Sequence, residues 1–195
     1  MARVIAGEAG GRRLAVPDGR GTRPTSDRAR EGLFATIVSL TGSLDGARVL
    51  DLYAGSGAVG LEALSRGAEH VLLVESGSRA ARVIRDNIEA IGLAGAEVLT
   101  DRVERVLARG PASTEKYDVV FADPPYALAG NEVSAMLQTL SDHGWLAPGA
   151  LVIVERATRS GPVSWPAGLE PDRARRYGEA TFWYGRAPYN LLAEP

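Results

Sequence analysis

The chain of 195 residues carries a net charge of −2 and is 45% hydrophobic and 24% charged, which is typical of one globular domain with at most a small appendage. It has no cysteine and only two histidines, so we expect no disulfide, no metal site and no Ser-His chemistry. No apolar run approaches the roughly 20 residues of a membrane span, and the N-terminus lacks the apolar block of a secretory signal, which indicates a cytoplasmic protein without a membrane partner.

The first predicted elements are a hairpin and a helix. Apolar residues at 4–5 and 14–16 flank a glycine-rich stretch, which predicts a β-hairpin over residues 3–16. A loop follows at 17–21. Small capping side chains at 25–27 then precede apolar residues at helical spacing from Leu33 to Leu40, which predicts a helix that ends at Gly42.

Strands and helices alternate through the middle of the chain. Apolar runs predict strands at 49–53, 70–75, 97–100, 117–123 and 151–155, and helical spacing predicts helices that begin at 59 and cover 78–91, 102–109 and 131–143. Repeated βα units imply an α/β fold with a parallel sheet that is covered by helices on both faces. Two further strand-like runs, at 173–177 and 181–186, predict a closing antiparallel hairpin.

The chain is organised around the stretch 48–60, RVLDLYAGSGAVG, in which a strand leads through a glycine turn into a helix. This unit presents backbone N–H groups and a positive helix end to a nucleotide-like ligand. Its glycines also fit the dinucleotide pattern G-x-G-x-x-G, so that interpretation stays open. Asp51 would repel a pyrophosphate but would attract a cation, and Glu75 stands where an acid binds ribose hydroxyls. The two acids together favour S-adenosylmethionine. Asp101 is placed to reach the adenine amino group or to cap the next helix.

The motif Asp123-Pro124-Pro125-Tyr126 closes the fourth predicted strand of the middle region. Its prolines fix φ and remove two N–H donors, so the loop displays carbonyl oxygens in a rigid arrangement. With the Asp123 carboxylate and the Tyr126 ring, these oxygens form a receptor for a planar amine such as that of a nucleobase. Hydrogen bonds from the amine to Asp123 and to the Pro124 carbonyl would aim its lone pair at a methyl donor.

These motifs together resemble the S-adenosylmethionine-dependent methyltransferases that act on amino groups. The segment RPTSDRARE at 23–31, the opening VIAGEAGGRRLAVP and the late RYG at 176–178 with Thr181 are similar to the RsmD family, bacterial enzymes that methylate guanine N2 in 16S rRNA. The resemblance implies a Rossmann-like class I methyltransferase fold. This is an α/β fold with a mostly parallel seven-stranded sheet that ends in an antiparallel hairpin, preceded by a small N-terminal β-hairpin extension.

The resemblance also implies the organisation and the partners of the protein. Residues 1–24 would form an RNA-binding extension, and residues 25–195 the catalytic domain. The cofactor would be S-adenosylmethionine, with S-adenosylhomocysteine as product and no metal. The partner would be 16S rRNA in the small ribosomal subunit or its late assembly intermediate, and the enzyme would act as a cytoplasmic monomer.

The expected site residues form three sets. The catalytic set is Asp123, Pro124, Pro125 and Tyr126. The cofactor-binding set is Asp51, Tyr53, Ala54, Gly55, Ser56, Gly57, Glu75, Ser76, Asp101, Arg102 and Val103. The RNA-binding set is Arg12, Arg13, Arg20, Arg23, Thr25, Arg28, Arg30, Arg173, Arg175 and Arg176.

The charge distribution agrees with an anionic partner at both ends of the chain. Residues 1–40 carry seven arginines and four acids, and residues 156–195 carry six arginines and four acids. The middle carries sixteen acids against nine basic residues. Basic flanks would hold RNA phosphates, whereas for any single arginine a solvated surface role is the simpler interpretation. Thr25 and Asp27 would line the base pocket or cap the helix, and we favour the cap.

Four alternatives are weighed. A protein glutamine methyltransferase has Asn where this chain has Asp123, which argues against it. A DNA adenine methyltransferase would use the same motif but usually needs a larger target-recognition region. An NAD-dependent oxidoreductase explains the glycines and leaves Asp51 and the Asp-Pro-Pro-Tyr motif without a role. A non-enzymatic RNA-binding module would bind RNA without binding S-adenosylmethionine.

Overall fold

The computed structural model describes residues 2–19 and 25–189. The elements are, in chain order, β1 (Ala2–Arg3), β2 (Arg13–Leu14), α1 (Asp27–Thr41), β3 (Arg48–Leu52), α2 (Ala58–Ser65), β4 (His70–Glu75), α3 (Ser78–Ile91), β5 (Ala96–Thr100), α4 (Val103–Arg109), β6 (Tyr117–Ala122), α5 (Gly130–Asp142), β7 (Leu146–Ala157), a 3₁₀ turn (Thr158–Ser160), β8 (Glu170–Tyr177) and β9 (Ala180–Arg186). The chain divides into two units, Met1–Val103 and Glu104–Pro195.

The first unit contains a parallel sheet in the order β5-β4-β3, with β3 and β4 almost fully buried. Its strands are continuous apolar runs because helices cover parallel sheets on both faces. Helix α2 is buried along its whole length, whereas α3 buries one face through Ala81, Ile84, Asn87 and Ile91. Gly92 ends α3 in the left-handed conformation.

The first unit also holds the N-terminal extension, a hairpin in which β1 pairs antiparallel with β2. Two buried side chains of α2 bind this N-terminal segment to the helix. Glu62 accepts hydrogen bonds from the backbone of Ile5 (2.8 Å) and Ala6 (3.3 Å), and Ser65 Oγ accepts one from Ala9 N at 2.9 Å. The extension is therefore packed against the helix that follows the glycine turn.

The second unit contains four strands in the order β6-β7-β9-β8. Strands β6 and β7 are parallel, whereas β7 with β9 and β9 with β8 are antiparallel. The core includes Trp145, whose Nε1 donates to Leu107 O at 3.0 Å, and an edge-to-face pair between Phe121 and Phe182. Strand β8 is exposed along most of its length.

The predicted fold class is confirmed. The described strands form a mostly parallel seven-stranded sheet with an antiparallel end, and a separate two-stranded hairpin stands at the N-terminus. Most predicted bounds differ by one or two residues, but β7 extends from 146 to 157 rather than from 151 to 155. Its first residue, Leu146, pairs with Tyr117 of β6, and its last residues, Arg156 and Ala157, pair with β9. The predicted domain boundary at residue 24 lies outside the described residues. Within the described residues, the helices are too short or too polar to cross a membrane.

Candidate functional site

The glycine turn, residues 53–57, joins β3 to α2 and has an unusual backbone. Tyr53 has a φ of 57° and is the one non-glycine residue in the described chain with a positive φ. Such strained residues concentrate at functional sites. Gly55 has a φ of 60°, and a Cβ built on it would meet nothing within 4 Å, so this side of the turn is open to a ligand. Gly57, with a φ of 80°, is the N-cap of α2, and a Cβ there would lie 3.1 Å from the Leu73 side chain.

Asp51 lies beneath the turn rather than on its surface. Its side chain is 1% exposed, and its Oδ2 accepts a hydrogen bond from Gly60 N at 2.9 Å. Burial raises the pKa of Asp51 to about 8, the Gly60 hydrogen bond opposes this rise, and the negative charge of Glu75 adds to it. The buried site of Asp51 therefore favours the protonated carboxyl over the ionised one. Its expected contact with the cationic part of a ligand stays a prediction.

Glu75, at the end of β4, joins the glycine turn to the start of α3, one carboxylate oxygen to each. Oε1 accepts from Gly55 N at 2.9 Å and Oε2 accepts from Gly77 N at 2.7 Å. Each carboxylate oxygen has a further lone pair, so the same side chain can also accept from a ribose hydroxyl. Glu75 thus orients the turn, a role that the sequence did not indicate, in addition to the ribose contact that we expect.

The residues expected around adenine lie between β5 and α4. Asp101 is half-buried, and its Oδ1 accepts from Arg102 N at 2.8 Å. It stands two residues before the first residue of α4, Val103. Val103 is 3% exposed, whereas Arg102 and Ser76 are exposed. Their expected contacts with a cofactor stay predictions.

In the second unit, the Asp-Pro-Pro-Tyr corner follows β6 directly. Asp123 is half-buried, Pro124 is buried and Tyr126 is 57% exposed, which makes Tyr126 one of the most exposed large aromatic side chains in the described chain. The Pro125 carbonyl accepts from Leu128 N at 2.9 Å, so the loop turns tightly after the second proline. The corner therefore presents a ring to solvent on a firmly held backbone.

Arg156 of β7 holds this corner from behind. The residue is 7% exposed, and its guanidinium donates to Pro125 O at 3.3 Å and to Leu128 O at 2.7 Å. Tyr126 and Arg156 line a cleft of about 690 Å³ together with residues 128–131, 133–134 and 160–164, whereas Asp123, Pro124 and Pro125 lie outside its walls. This volume is within the roughly 300–1,000 Å³ range of small-molecule sites.

The expectation that Arg30 binds RNA is wrong. Its side chain is fully buried, and its guanidinium donates to the Arg3 carbonyl and, at 3.0 Å, to Asp27 Oδ1. Its Nε lies 3.8 Å from Glu62 Oε1. Desolvation lowers the pKa of Arg30, while the charges of Glu62 and Asp27 oppose that decrease. Arg30 joins α1 to the extension and does not face solvent.

The other arginines of the RNA-binding set that the structure describes are on the surface. Arg12, Arg13 and Arg28 are exposed, and Arg12 donates to the Ile91 carbonyl. The exposed members on strand β8 are Arg173, Arg175 and Arg176. Arg20 and Arg23 lie outside the described residues.

The start of α1 resolves the question of its cap. Ser26 is the N-cap, and its Oγ accepts from Ala29 N at 3.1 Å. Asp27 instead pairs with Arg3 and Arg30, and Thr25 is half-buried before the cap. Neither Thr25 nor Asp27 is the capping residue that we favoured, although the helix entry itself was placed correctly.

Two residues of the site were missed by the sequence reasoning. Asn87 is 2% exposed and donates to the backbone of the glycine turn at Ser56 O, 2.9 Å away. Its signal was available, because it occupies the apolar face of α3 three residues after Ile84 and four before Ile91. Arg156 had no comparable signal, since it only follows the apolar run of β7.

The chain is similar in sequence and in fold to known proteins. The family model for conserved hypothetical protein 95 matches residues 2–186. The ribosomal RNA small subunit methyltransferase D of Escherichia coli K12 is 36% identical over 92% of this chain and 87% of its own length. The Haemophilus influenzae protein of the same name is 36% identical over 78% of this chain and 77% of its own. A solved structure of a hypothetical protein from Thermus thermophilus has 33% identity and a TM-score of 0.78, covering 94% of this chain and 98% of that one.

Proposed function

Because the chain belongs to the RsmD family, we propose that it is a methyltransferase that acts on ribosomal RNA of the small subunit. In finer terms, we propose that it transfers the methyl group of S-adenosylmethionine to the exocyclic N2 amine of a guanine in 16S rRNA. The observation that carries this proposal is the Asp-Pro-Pro-Tyr corner, in which an exposed Tyr126 borders a cleft of about 690 Å³.

The corner supports a planar, amine-bearing substrate. A ring that is 57% exposed offers a stacking surface for a base that has left its own stack in RNA. The half-buried Asp123 supplies a carboxylate acceptor beside it, and Arg156 keeps the loop from relaxing. A rigid acceptor pair beside an aromatic face suits an amine better than it suits a hydroxyl, because an amine offers two N–H donors.

The residues of the glycine turn fit the cofactor that the proposal needs. The space beyond Gly55, where a side chain would otherwise project, admits a ligand close to the backbone. Glu75 supplies carboxylate oxygens for ribose hydroxyls, and the start of α2 supplies the positive end of a helix. Asp51, four residues before Gly55, would hold the positive charge of the amino acid part. Asp101 would accept from the adenine amino group.

The chemistry asks little of the protein beyond binding and orientation. S-adenosylmethionine supplies a methyl group on a positively charged sulfur and leaves as S-adenosylhomocysteine. Asp123 and the Pro124 carbonyl would accept the two N–H bonds of the amine, which directs the nitrogen lone pair away from the ring and toward the methyl carbon. The nitrogen would gain the methyl group as its bond to the cofactor sulfur breaks, and would then lose one proton, for which the Asp123 carboxylate would be the acceptor.

RNA would be held by the exposed arginines at the two ends of the chain. Arg12 and Arg13 project from the N-terminal extension, and β8 carries three further exposed arginines. Such contacts position the backbone of RNA without reading its sequence. We therefore assign phosphate binding to these flanks and base selection to the corner.

The proposal is tested by methyl transfer to defined acceptors. The protein is incubated with methyl-labelled S-adenosylmethionine and undermethylated small subunits, naked 16S rRNA or duplex DNA, and incorporated label is counted. We expect label in the ribosomal RNA and its loss with Asp123→Ala. Asp118→Ala, which changes an exposed acid on β6 five residues before Asp123, is the matched control and should retain transfer. Label confined to DNA, or none with any acceptor, would reject the proposal.

A further inference from the structure

The side chain of Asn87 connects the N-terminal extension with the glycine turn. Its Oδ1 accepts from Ala15 N at 2.8 Å, and its Nδ2 donates to Ala15 O and to Ser56 O, both at 2.9 Å. Asn87 is 2% exposed; its bond to Ser56 O is buried, and its two bonds to Ala15 are partly buried. One amide group therefore joins three segments that lie far apart in sequence: the end of the extension, the turn and α3.

The bond to Ser56 bears on the geometry of the turn. Because a peptide unit is planar, fixing the Ser56 carbonyl also fixes the N–H of Gly57, which donates to Ala54 O at 2.8 Å. Gly57 is the N-cap of α2 and has a left-handed backbone conformation. Asn87 thus helps to fix the start of α2 and the direction of its first backbone N–H groups. A ligand bound at the glycine turn would meet these N–H groups.

The bonds to Ala15 bear on the extension. They are made with the segment directly after β2, two residues beyond Arg13. Other polar contacts hold the extension to α2. Glu62 accepts from the backbone of Ile5 and Ala6, and Ser65 Oγ accepts from Ala9 N at 2.9 Å and donates to Ala6 O at 2.7 Å. Glu62 and Ser65 lie five and eight residues beyond Gly57, outside the glycine turn.

We propose that Asn87 is a positioning residue that holds the glycine turn and the N-terminal extension in one shared arrangement. Binding of S-adenosylmethionine at the turn then stabilises the extension on which RNA docks. The proposal rests on the proposed function. By linkage, RNA seated on the extension must then favour cofactor binding to the same degree. Cofactor and RNA would each increase the affinity of the protein for the other.

The first test is made on the wild-type chain and requires no variant to fold. Hydrogen exchange of peptides that cover residues 4–16 is followed with and without S-adenosylmethionine. We expect the Ala15 amide to exchange at least several-fold more slowly in the presence of the cofactor, although no cofactor contact with this segment is proposed. Unchanged exchange under conditions where calorimetry shows cofactor bound overturns the inference. Failure of the wild type to bind the cofactor at all would instead reject the proposed function.

The second test separates positioning from stability with a matched pair of variants. Asn87→Asp keeps the size of the side chain, but it removes both donors and places a carboxylate against the carbonyls of Ala15 and Ser56. Ser65→Ala removes two hydrogen bonds to the extension, one buried and one partly buried, and leaves the glycine turn untouched. Thermal unfolding reports the stability of each variant, and calorimetry reports its Kd for S-adenosylmethionine.

We expect both variants to lower the Tm, but only Asn87→Asp to raise the Kd, by tenfold or more. Loss of the exchange protection of Ala15 should accompany it. Lowering the pH should restore part of the affinity of Asn87→Asp relative to wild type, since a protonated carboxyl regains one donor. Equal Kd changes in the two variants at a matched Tm, or a wild-type Kd for Asn87→Asp, would assign Asn87 a structural role alone.

Discussion

Replacing Asp51 by Asn should remove a pH dependence of stability that the buried carboxyl imposes. In the folded protein the pKa of Asp51 is raised to about 8, mainly by burial, whereas in the unfolded chain it returns to the ordinary value of 3.8. Between these two values the folded state binds a proton that the unfolded state does not bind. Its contribution to stability is fully present below pH about 4 and decreases as the pH rises, by about 1.4 kcal/mol per pH unit, until about pH 8.

The assay is urea unfolding of wild type and Asp51→Asn at pH 5, 6 and 7. Asn keeps an oxygen for Gly60 N and has no titrating proton, so its stability relative to wild type should increase by about 3 kcal/mol from pH 5 to pH 7. Val49→Ala, a buried neutral change on the same strand, is the control and should differ from wild type by a constant amount. A constant difference for Asp51→Asn as well would refute the reasoning.

The same titration should appear in cofactor binding. If the positive part of S-adenosylmethionine lies near Asp51, binding favours the ionised carboxyl and releases a proton. The Kd of wild type should then decrease with rising pH, by up to about tenfold per unit below pH 8, and the Kd of Asp51→Asn should not follow this trend. Parallel pH profiles for the two proteins would place the ligand charge away from Asp51.

Three further predictions concern the remaining parts of the site. Glu75→Ala should weaken cofactor binding by roughly 1–3 kcal/mol, since it leaves two backbone N–H groups and the ribose without their acceptor, and unchanged affinity in calorimetry would remove the ribose assignment. Asp123→Ala should lower kcat by about 100-fold or more while leaving the Kd for S-adenosylmethionine nearly intact, and an equal loss of both would refute its catalytic role. Neutralising Arg12 and Arg13 together should reduce the slope of log K against log salt for RNA binding by about 1.5, and an unaltered slope would mean that RNA binds elsewhere.

The fold could be predicted because its signals are local and repeated. The strands β3, β4 and β6 are continuous apolar runs, which only a doubly covered parallel sheet accommodates, and the helices between them show clear periodicity. The extent of β7 could not be read in this way. Its residues 146–150 include proline and glycine, and its pairing with β9 depends on a partner that is distant in sequence.

The motifs of the candidate site were easier to predict from the sequence than the buried residues that hold those motifs in place. Glycine and proline restrict the backbone directly, so the turn and the Asp-Pro-Pro-Tyr corner are visible as motifs. Arg30, Asn87 and Arg156 act through burial and through partners 20 or more residues away, as in the bond from Arg156 to Leu128 at a separation of 28. The sequence alone does not show whether an arginine is buried and hydrogen-bonded or exposed as a surface cation. For this reason Arg30 was predicted to bind RNA.

The identity of the methylated nucleoside is the most direct test of the proposed function. Undermethylated small subunits are incubated with the protein and S-adenosylmethionine, and their rRNA is digested to nucleosides and analysed by mass spectrometry. We predict a single new nucleoside, N2-methylguanosine, whose formation is abolished by Asp123→Ala. Formation of N6-methyladenosine or of a ring-methylated base, or no modified nucleoside at all, would contradict the assignment of the corner to a guanine amine.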